Sequence, residues 1–404
     1  MSTSLLYHGF GIRGYQQKRI AYDGGQITIC VVQSDAKCRC SACGSADVIH
    51  RGEVQRMFRS LPIGRKPTFI DLRIPRVECR RCGVTRQVKV GFADARRTYT
   101  RAFERYVLDL GRRMTIRDIA QHLGLGWDTV KDIIKRNLAR RFAKPKLKHL
   151  THIAIDEFAI AKGHRYMTTV MDLDTGVIVF VGDGKAGSAL KPFWKRLRPS
   201  GAKIKAVAMD MSAAYRKAVR ENIPKAAIVF DHFHISKLFN DKLSDLRRDL
   251  HRELTDGLQK RVLKGVRWLL LKDPVNLDET KDEKRRLEEA LMLNKPLATA
   301  YYMKEDLRRF WEQPGKTFAT HFLDGWLKRA RASGIKMLQD MAKTLALYRS
   351  GLLAYYDAWI TSAQLEGTNN KIKTLKRWGY GYRDKEFFKL KLLSLHETRY
   401  ELVG

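Results

Sequence analysis

Residues 151–182 read THIAIDEFAIAKGHRYMTTVMDLDTGVIVFVG, and their pattern decides the fold of the larger part of the chain. Three strand candidates follow one another, at 151–158, 166–173 and 177–182, rich in β-branched and aromatic residues. Gly163 breaks the first pair, and Asp174-Thr175-Gly176 supplies a tight-hairpin signal between the second pair. Farther on, residues 189–197 read as a helix, 204–209 (IKAVAM) as a buried strand, 212–222 as a helix and 226–230 (AAIVF) as a fifth strand. The run HIAID ends on Asp156, and the run AVAMD ends on Asp210. A carboxylate at a strand terminus is held rigidly at the sheet's edge, and two on neighbouring strands can point at one spot.

Downstream, residues 235–360 are helical and polar, with Trp268, Trp311, Trp326 and Trp359 as expected packing anchors. From Ser362 the chain is again helical and basic. Glu366 stands near the start of that segment, in SAQLEGTNNKIKTLKRW. Three converging carboxylates, Asp156, Asp210 and Glu366, can hold two divalent ions about 3.5–4 Å apart. Hard oxygen ligands suit Mg²⁺ or Mn²⁺, which also bind phosphate. Lys371, Lys373, Lys376 and Arg377 follow on the same helix and are candidates to grip a DNA backbone. Taken singly, an Asp after a strand is more often a turn former or helix cap. Glu157, Asp172, Asp183 and Asp231 are competitors on that ground. In Asp231-His232-Phe233-His234, His234 can reach the site, or the segment is a helix N-terminus with a buried histidine.

Upstream, residues 1–95 are short apolar runs broken by Gly, Pro and Cys, with strands expected at 27–32 and 68–77. All six cysteines lie here. In a long chain of intracellular character, clustered cysteines indicate metal rather than disulfides. Cys40-x-x-Cys43 and Cys79-x-x-Cys82 are two knuckles, each followed by a glycine (Gly44, Gly83) that permits the turn beneath a zinc ion. Four such ligands leave no open position, so the zinc is structural. Cys38 competes with Cys40 for the outer position, though spacing favours Cys40; Cys30 reads as core.

Residues 96–149 carry 15 Lys or Arg against 5 acids. Ile116, Ile119, Ala120 and Leu123 recur at helical spacing behind a Thr115/Asp118 capping box. Gly124-Leu125-Gly126 supplies a turn, and a second helix opens at Trp127. Its polar face presents Thr129, Lys131, Asp132, Lys135 and Arg136. Two short helices joined by a glycine turn, the second one basic, form a helix-turn-helix DNA-reading unit. Any helical hairpin in a bundle is the plainer reading, and the basic surroundings argue against it.

The 404 residues predict two to four domains, and hydrophobic residues at 44% suffice for real cores. Lys and Arg number 78 against 43 acids, a formal charge of +35. No fold needs that excess, so a large polyanion is the expected partner. The start lacks a signal-peptide pattern, and no apolar run approaches the ~18 residues of a membrane span. The expected location is the cytoplasm, with the nucleoid.

Taken together, these motifs resemble the ISL3-type insertion-sequence transposases, a branch of the DDE transposases. The likeness runs through the knuckles, the helix-turn-helix, IDEFAIAKGHRYMTTVMDLDTG, AMDMSAAY, FDHFHI, RWLLLKDP and LEGTNNKIKTLKRWGYGYRDKEFFKLKLL. It implies a multidomain α+β protein with an RNase H-like α/β catalytic domain interrupted by an all-helical insertion. Expected boundaries are 1–95 (zinc-ribbon-like), 96–149 (helix-turn-helix and basic linker), 150–234 (catalytic core), 235–360 (insertion) and 361–404 (end of the core). The family's catalytic acids fall on Asp156, Asp210 and Glu366, and Asp231 and His234 match its acid-x-x-His signature. At 183–187 (DGKAG) the match is loose. The resemblance implies binding of double-stranded DNA at terminal inverted repeats and at a target, metal-dependent cleavage, joining of 3′ ends, and a homodimer or larger assembly on DNA. Two rivals are a DNA-binding regulator without catalysis and an RNase H-like nuclease that does not join strands.

Overall fold

The computed structural model describes residues 4–33, 38–161, 163 and 165–396. The chain divides into two compact units, residues 1–141 and 142–404.

In the first unit, a short helix α1 (Leu5–Phe10) precedes strands β1 (Tyr15–Asp23), β2 (Gln26–Gln33), β3 (Val48–Ile63), β4 (Lys66–Cys79) and β5 (Thr85–Gln87). The sheet order is β1-β2-β4-β3, with β5 on β4. Strands β2 and β4 bury alternate residues, as period-2 patterning requires. Cys30 is only half-buried, its Sγ facing Asp71 and Arg19, because it sits on the polar face opposite Ile29. It is therefore not core. Three helices follow: α2 (Arg101–Leu110), α3 (Ile116–Leu123) and α4 (Trp127–Phe142). Arg59 on β3 donates to the Leu123 carbonyl at 2.8 Å, with its guanidinium over Phe69 and Phe103. That tie joins the helices to the sheet.

The second unit is built on β6 (His152–Ala161), β7 (Arg165–Asp172), β8 (Val177–Asp183), β9 (Ala206–Met209) and β10 (Ala227–Phe230). Their order is β10-β9-β6-β7-β8. β6, β7 and β8 run antiparallel in succession, and β9 and β10 lie parallel to β6. An antiparallel meander extended by two parallel strands is the RNase H-like arrangement. The DTG hairpin forms as expected, with Gly176 at φ 72°. Between strands lie α5 (Lys191–Leu197) and α6 (Ala213–Asn222).

Beyond β10 the chain is helical. The run comprises α7 (His232–Glu253), α8 (Gly257–Gly265), α9 (Glu283–Leu293), α10 (Lys295–Arg308), α11 (Lys316–Ala332), α12 (Lys336–Leu347), α13 (Arg349–Leu353) and α14 (Tyr355–Ala358). It returns to the sheet with α15 (Ala363–Trp378) and α16 (Lys385–Leu393). Ile153, Ile155, Val207 and Met209 face a core shared with α5, α6 and the helical insertion. Ala154, Phe158 and Ala208 face α15 and α16. β6 is thus central and covered on both faces, which is why its sequence is apolar on both sides of Asp156 and Glu157 rather than alternating. Of the expected anchors, Trp326 is fully buried, but Trp268 is 65% and Trp359 59% exposed. A lone aromatic in a helical pattern does not say which face meets the core.

Candidate functional site

The β3–β4 hairpin explains the knuckle spacing. Its register sets Val48 opposite Cys79, so the chain leaves the first knuckle, runs out, and returns beside it. The Cys40, Cys43, Cys79 and Cys82 sulfurs all lie within 4.8 Å of one another. Cys40 and Cys82 are 3.7 Å apart, and Cys43 and Cys79 are 3.5 Å apart. A tetrahedron of ~2.3 Å Zn–S bonds places its sulfurs about 3.8 Å apart, so the cage fits zinc. Gly44 (φ 76°) and Gly83 (φ 68°) close the turns, donating to the Cys40 and Cys79 carbonyls. Backbone N–H groups of Cys43 and Ala42 hold the Cys40 thiol down at about 6, favouring the thiolate a metal needs. Cys38 lies buried in the apolar core of this unit, apart from the cage.

In the helical part, the Thr115/Asp118 capping box forms in full, and Gly124 ends α3 at φ 62°. Val130, Ile133, Ile134 and Leu138 bury the inner face of α4. Of the polar-face candidates, Thr129, Lys131 and Lys135 are half-buried and Asp132 is exposed, with the Lys131 ammonium over the exposed Trp127 ring. Arg136 behaves differently. Its guanidinium donates to the Tyr99 hydroxyl at 2.6 Å and to Glu104 at 3.3 Å, bracing α4 against α2.

Asp156 and Asp210 meet in the second unit. Ile155 pairs with Met209 in parallel register, so Asp156 stands beside Asp210; Asp210 follows the end of β9 as expected, but Asp156 lies in the middle of β6, which continues to Ala161 along its pairing with β7. Residue parity decides where the two acids on β6 point. Asp156 shares the face of Ala154 and Phe158 and meets α15, where Asn369 Nδ2 donates to its Oδ2 at 2.6 Å. Glu157 takes the other face, toward Tyr215. Burial raises the Asp156 carboxyl above the usual range, and the charge of Asp210 adds to the rise, while His234 opposes it. Glu157 is raised by burial and by Asp156, and its Oε2 is buried with no hydrogen-bond partner. Both Asp156 and Glu157 feel the charge of His234, which lowers them.

Glu366 is exposed on α15, one turn before Asn369. Helix neighbours at that spacing lie about 5–6 Å apart at Cβ, so Glu366 is on the same helix as the Asn369 that bonds Asp156, one turn away. Among the described residues, these three carboxylates do not close to the spacing of the cysteine cage. Like charges with no cation between them repel. Lys376 donates to the Ala159 carbonyl at 2.8 Å, so it ties α15 to β6, while Lys371, Lys373 and Arg377 stand exposed.

Asp231 is almost fully buried and caps α7, accepting from the Phe233 N–H at 3.3 Å. Its other oxygen accepts from the Ser362 hydroxyl, at the start of α15. Burial alone would raise this carboxyl, but His232, Ser362 and the Phe233 N–H outweigh it and hold it below the usual range. Asp231 is thus a latch between the end of β10 and the helix that carries Glu366. Sequence reading missed Asn369, Tyr215 and Ser362. For Asn369 a signal existed, an amide one helical turn beyond Glu366.

Three family profiles match the chain. A DDE-type ISL3 transposase profile covers residues 153–392. A helix-turn-helix domain of transposase family ISL3 covers 88–136. A zinc finger of the IS204/IS1001/IS1096/IS1165 transposases covers 36–82. The transposase for insertion sequence element IS1001 of Bordetella parapertussis is 33% identical over 389 residues, 95% of each chain. The transposase for element IS1557 of Mycobacterium tuberculosis is 28% identical, over 91% of this chain and 87% of that one. A looser likeness is to the Drosophila P element transposase strand transfer complex, at a TM-score of 0.40 and 10% identity, covering 75% and 92% of the two chains.

Proposed function

The chain belongs to the ISL3 family of insertion-sequence transposases, a DNA-binding and DNA-cleaving class, and from that premise we propose that Asp156, Asp210 and Glu366 form a two-metal centre for phosphodiester cleavage and strand joining. One observation supports this reading above the rest: the Asn369–Asp156 hydrogen bond, which docks the helix bearing Glu366 against the strand bearing Asp156. The donor set fits hard divalent cations. It is all oxygen, and burial, with the charge of Asp210 adding to it, raises the Asp156 carboxyl.

When bound, such a cation pair supplies activation of water or a 3′-hydroxyl and stabilisation of the leaving oxygen. Asp156, Asp210 and Glu366 hold it, and Asn369 fixes the Asp156 carboxylate. Lys371, Lys373 and Arg377 neutralise phosphates beside the helix. Thr129, Lys131 and Lys135 read the terminal inverted repeats, with Arg136 steadying the helix that bears them. Two ends must be brought together, so a homodimer or larger assembly forms on DNA. The cysteine cage holds structural zinc. No helix among the described residues is long and apolar enough to cross a membrane.

The test is incubation of the protein with Mg²⁺, a duplex bearing the element's own terminal repeat, and target DNA. The expected products are a free 3′ end and a joined molecule. Cutting without joining would instead support a nuclease, and binding without cutting a regulator.

Asp231 acts as a positioning residue in this scheme. Ser362→Ala keeps the α7 cap and removes the latch. Cleavage is expected to fall about tenfold or more, since small misplacements of reacting groups are costly, while affinity for the DNA end stays put. An unchanged cleavage rate would exclude the latch.

A further inference from the structure

Four described non-glycine residues adopt a positive φ, and two of them are exposed aromatics flanking the helix that carries Glu366. Trp359 (φ 50°) precedes α15 and is 59% exposed; Tyr380 (φ 49°) follows it and is 95% exposed. The left-handed region crowds a Cβ, and a bulky residue there is an outlier. Glycine serves a helix end in this conformation without that cost. Trp359 occupies such an end, donating its N–H to the Tyr355 carbonyl at 2.7 Å. Tyr380 sits between Gly379 and Gly381, its turn closed by Gly381 N–H to the Lys376 carbonyl at 3.0 Å. In both places the backbone task suits glycine, and most of the ring is left to solvent, though Trp359 also touches Tyr355 and the buried Tyr356.

The Trp359 ring is nonetheless firmly mounted. It lies 5.5 Å from Tyr355, Tyr355 lies 5.3 Å from Trp311, and Trp311 lies 5.8 Å from His232 beside the latch. Tyr380 stands near Trp378, itself 47% exposed, in a stretch that also carries the cations Arg377 and Arg383. Exposed rings interleaved with positive charge are what single-stranded nucleic acid binds: the charge follows the backbone and each base stacks on a ring. α15 has 16 residues, a length of about 24 Å.

We infer that Trp359 and Tyr380 are stacking platforms for unpaired bases of a DNA strand drawn along α15. The inference rests on the DNA-processing reading above and adds a ligand to it: a locally unpaired strand rather than intact duplex.

The test uses the full chain without added Mg²⁺ and an oligo-dT strand carrying 2-aminopurine, with the element-end duplex as the parallel probe. Wild type is expected to bind the single strand and alter 2-aminopurine fluorescence by stacking. Tyr380→Gly relieves the backbone at no cost in packing, so its melting temperature should equal or exceed wild type; Trp359→Gly relieves the backbone but loses its contacts with Tyr355 and Tyr356, and should still unfold in one cooperative transition. Their single-strand affinity should nevertheless fall about five- to a hundredfold, with duplex binding retained. Trp359→Phe and Tyr380→Phe, which keep a ring, should restore most of it. Glycine variants that bind oligo-dT like wild type overturn the inference. So does a wild type that binds duplex but not oligo-dT; binding of neither probe overturns the DNA reading itself. Unaltered single-strand binding with a lost oligomer overturns it in favour of a protein interface.

Discussion

Asp156→Asn abolishes strand cleavage and leaves binding of the element end intact. The expected loss in cleavage rate is on the order of 10⁴, as for removal of one member of a catalytic unit. Shape is preserved by the substitution, and the Asn369 side chain can still meet the remaining oxygen. What disappears is the charge that holds a cation on the central strand. Loss of cleavage and binding together would indicate misfolding instead, and full activity would remove Asp156 from the centre.

The same variant carries a stability signature of known sign. Burial raises the folded pKa of Asp156 above its unfolded value. Folding then favours the protonated form, so stability is greatest at pH below the unfolded carboxylate range. It declines as pH rises from the unfolded pKa through the folded one, and the full cost remains at neutral pH. Asparagine escapes that cost. Metal-free Asp156→Asn should therefore melt above metal-free wild type at neutral pH, and the gap should close as the pH is lowered. Added Mg²⁺ should raise the wild-type melting temperature more than the variant's. A metal-free variant that melts lower than wild type at neutral pH would contradict the burial argument.

Cys79→Ser is the second large effect. Structural zinc contributes on the order of 10 kcal/mol or more to small metal-held folds. This cage joins both knuckles at the root of the β3–β4 hairpin. The variant is expected to lose its zinc, to become protease-sensitive through residues 38–87, and to lose element-end binding. Cys38→Ser, which changes a core position outside the cage, should keep about one zinc per chain. Metal analysis of Cys38→Ser beside Cys40→Ser decides between the ligand sets. Zinc lost from Cys38→Ser and kept by Cys40→Ser would reverse the assignment.

Residues whose surroundings are local in sequence are legible from the chain alone. The capping box of α3 joins Thr115 to Asp118, and both lie within one turn. The five strands of the second unit show themselves as apolar runs and hairpin glycines. β3 does not. It is 16 residues long, interrupted by Gly52, and buries few side chains, so no period-2 signal survives in VIHRGEVQRMFRSLPI. Lys376 and Arg136 read as DNA contacts because they are basic and on helix faces. In the fold, Lys376 bonds a strand carbonyl 217 positions away, and Arg136 bonds Tyr99 and Glu104. Periodicity cannot supply such partners.

The sequence by itself determined the succession of strands along the chain, the two cysteine knuckles, the helix-turn-helix and the acids worth testing. Each depends on residue type and short spacing, which steric propensity and hydrophobic burial translate directly into local structure. Only the tertiary structure decided that Asp156 turns to Asn369 while Glu157 turns to Tyr215, and that Asp231 grips Ser362. It alone left two aromatic rings standing in water at the ends of α15. Those outcomes follow from which elements pack on which face of the central strand, and that choice is made by the whole core at once.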